Sequence, residues 1–139
     1  MYGLLDISTS GMVAQRTRLT AISANIANRH SVDAQGNPYR AKMVFFSAGD
    51  KSAATAEGRK YGVQVSHIED DPTPFQLKWD PAHPRAIKEG PQAGYVQESN
   101  VNPVMEQVNA VQAARAYEAN AVAAEATKQM IQQALRLLG

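Results

Sequence analysis

Leu5, Met12, Leu19 and Ile26 place an apolar residue at every seventh position, with Ile22 between the last two. No proline interrupts residues 2 to about 28, so this stripe predicts one helix. Its companion positions Ser8 and Gln15 are polar, which leaves the seam thin. A helix with so narrow an apolar face is marginal in water and needs a partner. Residues 29–98 follow a different rhythm: they hold six of the seven prolines and six of the nine glycines, spaced as turn punctuation. Short runs between them have strand character, at Tyr39–Phe46, at Gly62–Ile68 with Val63 and Val65, and at Phe75, Leu77 and Trp79. Ser47–Lys60 is small and polar, which predicts an exposed loop near 47–60.

From Val104 to Leu138 there is neither glycine nor proline. Asn102 then Pro103 is a helix start, Asn as the cap and Pro at the first helical position. A helix of that length measures about 50 Å, too long to lie wholly on a module of some 70 residues. From Ala110 onward a heptad register runs through Ala110, Ala114, Tyr117, Ala121, Ala124, Lys128, Ile131, Leu135 and Leu138, broken only by Lys128. Upstream, Val104, Val108 and Val111 draw a second apolar line on another face. The expected fold is α+β: an N-terminal helical part over 1–31, a small β-rich module over 32–98 and a long helix within 99–139. The two helices are expected to form a coiled-coil-like bundle in an assembly, gaining their burial from neighbouring copies.

Charge and composition narrow the function. Residues 1–31 carry three basic side chains and one acid, 32–98 eight and nine, and 99–139 three and three. No block supplies the clustered basic face of a nucleic-acid binder, so no nucleic acid is expected as partner. Cysteine is absent, which excludes disulfide frameworks, thiolate zinc sites and cysteine nucleophiles. No apolar run reaches the roughly 20 residues of a membrane span, and the first residues lack the basic and apolar regions of a cleaved secretory signal.

Candidate chemistry is sparse. His67 with Asp70 and Asp71 could be drawn as a zinc site, but the spacing matches no tight ligand motif, and surface or turn roles are the expectation for His30, His67 and His83. Glu69-Asp70-Asp71 before Pro72 is expected to be a solvated turn, not a general acid–base pair. No Gly-x-Ser-x-Gly elbow occurs, and Gly58 to Gly62 around Arg59 and Lys60 is not a phosphate loop. No catalytic residue, metal ligand or cofactor is expected.

Several segments resemble one family. Leu5-Asp6-Ile7-Ser8-Thr9-Ser10-Gly11-Met12, followed by Ala14-Gln15-Arg16, is similar to the opening of bacterial flagellar rod and hook proteins. Ile22-Ser23-Ala24-Asn25-Ile26-Ala27-Asn28 matches that family's Asn-x-Ala-Asn signature, and Arg115-Ala116-Tyr117-Glu118-Ala119-Asn120 its C-terminal helix motif. Gly36-Asn37-Pro38-Tyr39-Arg40, Gly62-Val63-Gln64-Val65, Asp80-Pro81-Ala82-His83-Pro84, Gly94-Tyr95-Val96 and Asn100-Val101-Asn102-Pro103-Val104 come in the order of its short proximal-rod members. Met105 where the family usually has an acid, and Pro91 before Gly94-Tyr95, depart from the pattern.

The resemblance implies a non-enzymatic structural subunit of the flagellar basal body, exported without a cleaved signal by the type III apparatus. Such subunits stack helically into a hollow rod across the periplasm. The implied partners are copies of itself, other rod proteins, and the membrane ring and export gate at the rod base. The assembly residues expected are Leu5, Met12, Leu19, Ile22, Asn25, Ile26 and Asn28 on the first helix. On the second they are Val104, Val108, Val111, Ala114, Tyr117, Asn120, Ala121, Ala124, Ile131, Leu135 and Leu138. Asn25, Asn28 and Asn120 are expected to hydrogen-bond across chains and fix register. The alternatives are another short rod protein, or a small enzymatic or ligand-binding β-module with the helices as a dimerisation stalk.

Overall fold

A computed structural model describes residues 2–49 and 62–138. Its elements run α1 (Tyr2–Asn28), β1 (Lys42–Ala48), β2 (Val63–Asp70), β3 (Gln76–Trp79), β4 (Tyr95–Glu98) and α2 (Pro103–Leu138). Both helices fall where the proline-free stretches place them. Asn102 caps α2 as expected: its Oδ1 accepts the backbone N–H groups of Val104 at 3.1 Å and Met105 at 3.3 Å, satisfying two of the donors a helix start leaves open.

The middle is two separate antiparallel ribbons, β1–β2 and β3–β4, not one sheet. In the first, Lys42 faces Asp70 and Phe45 faces His67, but Phe46 faces Val65. Ser66 is therefore an extra residue on β2, a bulge. Ser47 and Ala48, expected in a loop, extend β1 by pairing with Gln64 and Val63. The stretch 50–60 of that loop lies outside the described residues. β4 carries no strong apolar alternation, and the sequence alone did not mark it as a strand; it forms because Tyr95–Glu98 pairs with Trp79–Gln76. At its start Gly94 has φ +84°, and a Cβ there would stand 2.6 Å from the Trp79 ring. Only glycine fits beneath that indole.

The helices were expected to gain their burial from neighbouring copies; within the chain α1 already lies along α2, antiparallel. Asn25 meets Glu106, Arg18 meets Asn109, and Gly11 sits against Asn120. Stepping fourteen residues back on α1 steps fourteen forward on α2. Apart from Ile22, the side chains between the helices are small or polar. Ser8, Gly11, Ala14, Ala21, Ile22 and Asn25 are buried on α1, and Ala113 and Thr127 on α2. Interaxial distance depends on side-chain size, so a glycine and a row of alanines let the pair close without a leucine seam. Val96, Val101 and Ala41 complete the small core beneath the ribbons.

Candidate assembly interface

The intramolecular seam is rotated about one residue, ~100° of helix, from the expected heptad lines. On α2 it runs along Glu106, Ala113, Asn120 and Thr127, with Ala110, Ala114, Ala121, Ala124 and Ile131 half-buried at its flank. Tyr117 and Leu135 are exposed. On α1, Leu5, Met12 and Leu19 are half-buried and Ile26 is exposed, while the supposedly thin positions are the inner ones. Ser8 is 7% exposed, and the Gln15 Oε1 is buried without a hydrogen-bond partner.

The reason is visible in the outward residues. Val104 is 65% exposed, Val108 45% and Val111 53%. On a heptad wheel these three stand diametrically across from Glu106 and Ala113, so no rotation of the pair could bury both lines at once. Further apolar side chains off the expected lines are also bare: Leu4, Ile7, Val13, Val122, Met130 and Leu137. The signal that could have found them was apolarity outside any single heptad.

The expected cross-chain asparagines act within the chain. Asn25, 1% exposed, spends its whole amide on three segments. Its Nδ2 donates to the Lys42 carbonyl at 2.9 Å and to the Glu106 carboxylate at 3.3 Å. Its Oδ1 accepts the Lys42 N–H at 2.8 Å and the Tyr39 hydroxyl at 3.1 Å. One side chain thus fastens α1 to the start of β1 and the first turn of α2. Asn28 donates to the Ala24 carbonyl at 2.9 Å and accepts from Ser31 at 3.3 Å, closing the end of α1. Asn120 donates to the Ala116 carbonyl at 2.7 Å while its amide covers Gly11.

A second hub was not singled out as a site residue. Asn100 Oδ1 accepts the Ala41 N–H at 2.8 Å, and its Nδ2 reaches the Thr73 hydroxyl at 3.0 Å and the Asp71 carbonyl at 3.2 Å. Arg40 donates to the Asp71 and Thr73 carbonyls, each at 2.8 Å, and lies 4.2 Å over the Phe75 ring. Together they tie the strand entry, the 71–75 turn and the approach to α2.

Electrostatics follow burial. Partial burial pushes the Glu106 carboxyl above its ordinary value, against the pull of the Asn25 hydrogen bond and the Arg18 charge. Burial also raises the Tyr39 phenol.

The candidate chemistry resolves into local structure. His67 stacks on Phe45 with centroids 4.7 Å apart and lies 3.5 Å from Glu69. Asp70 pairs with Lys42, and Asp71 accepts the Thr73 N–H at 2.8 Å. His83 accepts the Arg85 N–H at 3.1 Å, a turn contact. Among the described residues no group of three His, Asp or Glu is placed to hold a metal ion, and no helix is long and apolar enough to cross a membrane.

Comparison with known proteins places this arrangement. Residues 5–29 match the family described as flagella basal body rod protein, and residues 92–137 the flagellar basal body rod FlgEFG protein C-terminal family. These spans contain α1 and α2 almost entirely. The chain is 37% identical to the flagellar basal-body rod protein FlgC of Borreliella burgdorferi over 99% of its own length and 97% of that protein. It is 37% identical to FlgC of Bacillus subtilis, covering 96% and 95%, and 36% identical to FlgC of Salmonella typhimurium, covering 99% and 97%. With similarity running from end to end through helices and ribbons alike, the chain belongs to the FlgC family of flagellar basal-body rod proteins and is a structural rod subunit of the basal body.

Proposed function

We propose that the chain has no catalytic role and polymerises helically as a subunit of the proximal rod, the hollow drive shaft and export channel across the periplasm. In this reading the helix pair forms the inner layer and the β-rich part, over 32–98, faces outward. Export occurs by the type III apparatus, and the neighbours are copies of itself, other rod proteins and the ring and gate at the rod base. One observation carries the reading: apart from Ile22, the helix pair closes on small and polar side chains, and it leaves large apolar ones bare on its outer surface. Exposed apolar surface of this extent marks an interaction site. Leu5, Met12, Leu19, Ile26, Val104, Val108, Val111 and Tyr117 are the contacts proposed between copies. Ala114, Ala121, Ala124, Ile131 and Leu135 extend that surface along α2; the side chain of Leu138, expected with them, lies outside the described residues. Ile22, Asn25, Asn28 and Asn120 support it from within.

The test is Val108→Glu. Val108 is 45% exposed in the single chain, so a charge there leaves folding within about 0.5 kcal/mol. Buried in an assembly, the same carboxylate costs several kcal/mol at every repeat of the contact. The expected result is an unchanged circular-dichroism melt with loss of rods by electron microscopy and of swimming. Swimming cells with normal rods would refute the outer face as the interface.

A further inference from the structure

Where α1, β1 and the first turns of α2 converge they enclose a cleft of about 200 Å³. That is room for roughly six waters, below the roughly 300–1,000 Å³ of sites for drug-sized ligands, so the cleft suits a small molecule. Ile22, Met43 and Val44 give it an apolar wall, and Arg18, Asn109 and Glu106 supply polar groups. Arg18 and Glu106 are half-buried and opposite in charge, yet no ion pair joins them among the described residues. A guanidinium has five N–H donors. Among the described residues that of Arg18 donates only to Asn109, at 3.4 Å, longer than an ordinary N–H to oxygen bond. Glu106 gives one carboxylate oxygen to Asn25 and keeps the other. Lys42, also on the wall, is paired with Asp70 and adds no net charge.

We infer that this cleft binds a small zwitterion, an α-amino acid with an aliphatic side chain. Arg18 takes its carboxylate, Glu106 its ammonium, and Ile22, Met43 and Val44 its side chain. Charge complementarity selects this class. A lone anion would meet Glu106 and a lone cation would meet Arg18, each a like charge in a partly dry site. A ligand carrying both ends answers both groups at once. The guanidinium fork matches a carboxylate through two parallel hydrogen bonds, and its one long bond to Asn109 leaves that fork available. The Arg18 charge pulls on the Glu106 carboxyl, so the two groups lie near enough to share one small ligand. Half-buried charges without a close partner are costly, and the ligand relieves both. The cleft lies between the elements of one chain, so the site does not depend on the rod reading.

Ligand-observed saturation-transfer NMR on the full-length chain, titrated with L-valine, reads the site. With so few contacts the expected dissociation constant is about 1 mM. Two further probes keep the isopropyl group of valine and lack one charge each: isovalerate has no amine, and isobutylamine has no carboxylate. Both are expected to bind about tenfold more weakly than valine. Arg18→Gln keeps a donor for Asn109, and Glu106→Gln keeps an acceptor for Asn25. Each is expected to weaken valine about tenfold, while Arg18→Gln leaves isobutylamine no weaker and Glu106→Gln leaves isovalerate no weaker. No valine signal at about 20 mM, equal binding of valine and either half-probe, or valine binding unchanged in both variants overturns the site. The half-probe comparison uses the parent chain alone, so it decides the matter whether or not a substitution disturbs folding.

Discussion

The inner and outer faces of the helix pair invert the usual division of side chains. Inside are a glycine, alanines, serine, threonine and two hydrogen-bonded asparagines, with Ile22 the one large apolar side chain among the described residues; outside are valines, leucines, methionines and a tyrosine. Apolar burial contributes roughly 25 cal/mol per Å², so the inner face gains little per residue and relies on close approach and satisfied hydrogen bonds. The outer face holds most of the unspent hydrophobic free energy. A chain arranged in this way folds modestly alone and reserves its larger driving force for association. The contrast also predicts different mutational behaviour on the two faces, with inner substitutions affecting the melt and outer ones the assembly.

The sharpest break of the inner face is Asn25→Ala. It leaves the Lys42 N–H and carbonyl, the Tyr39 hydroxyl and the Glu106 carboxylate without this partner. Losing these bonds and opening a small void is expected to cost about 3 kcal/mol. Urea unfolding of the monomer measures it, and a loss below about 1 kcal/mol would mean that water replaces the amide.

Gly11 and Asn120 test close approach. A Cβ on Gly11 would stand 2.7 Å from the Asn120 amide, so Gly11→Ala is expected to lose about 1 kcal/mol despite the better helix propensity of alanine. Combined with Asn120→Ala the steric conflict disappears. The coupling energy from the four chains of the cycle is then expected to favour the double variant by roughly 1–2 kcal/mol. Simple additivity would show that the helices are not in contact there.

The smallest effect expected is from Glu106. Its folded-state pKa is raised by burial, so the folded chain binds this proton more tightly than the unfolded one. Its contribution to stability is fully present below the unfolded value and is lost as pH rises through the raised folded value. Glu106→Gln keeps an oxygen for Asn25 and removes that loss. A gain below about 0.5 kcal/mol is expected at neutral pH and none in acid below the unfolded value, as read from melts across that range. A gain that persists at low pH would point to packing instead of charge.

Much of the fold was legible in the sequence. The proline and glycine distribution delimited both helices, and Asn102-Pro103 placed the start of α2 to the residue. The helical face was not legible, for a physical reason. The period of the large apolar residues reports where they line up, and the chain buries a different, smaller set against itself. Ser8 and Gln15 weakened the apparent seam because they are the seam. Asn25, Asn28 and Asn120 stood out as motif residues, yet a single sequence could not show that their partners are Lys42, Ser31 and Gly11. The second ribbon was half visible, since Leu77 and Trp79 alternate but β4 becomes a strand only by pairing with them. Of the candidate interface, the Val104–Val108–Val111 line was legible. The bare Met130 and Leu137 were not, because their exposure depends on where α1 ends beside them.

The antiparallel pairing of the first helix with the last also governs how quickly the chain can fold. Asn25 waits for a residue 81 positions away, and the Gly11 contact spans still more of the chain. Such distant closures slow folding relative to local ones. During synthesis α1 emerges first and has no partner until α2 has followed it. The ribbons can pair locally in that interval, but the hub on Asn25 stays open at Glu106. The nascent chain therefore remains without its organising contact until Glu106 and the helix that carries it have been made, so it stays extended for most of its synthesis.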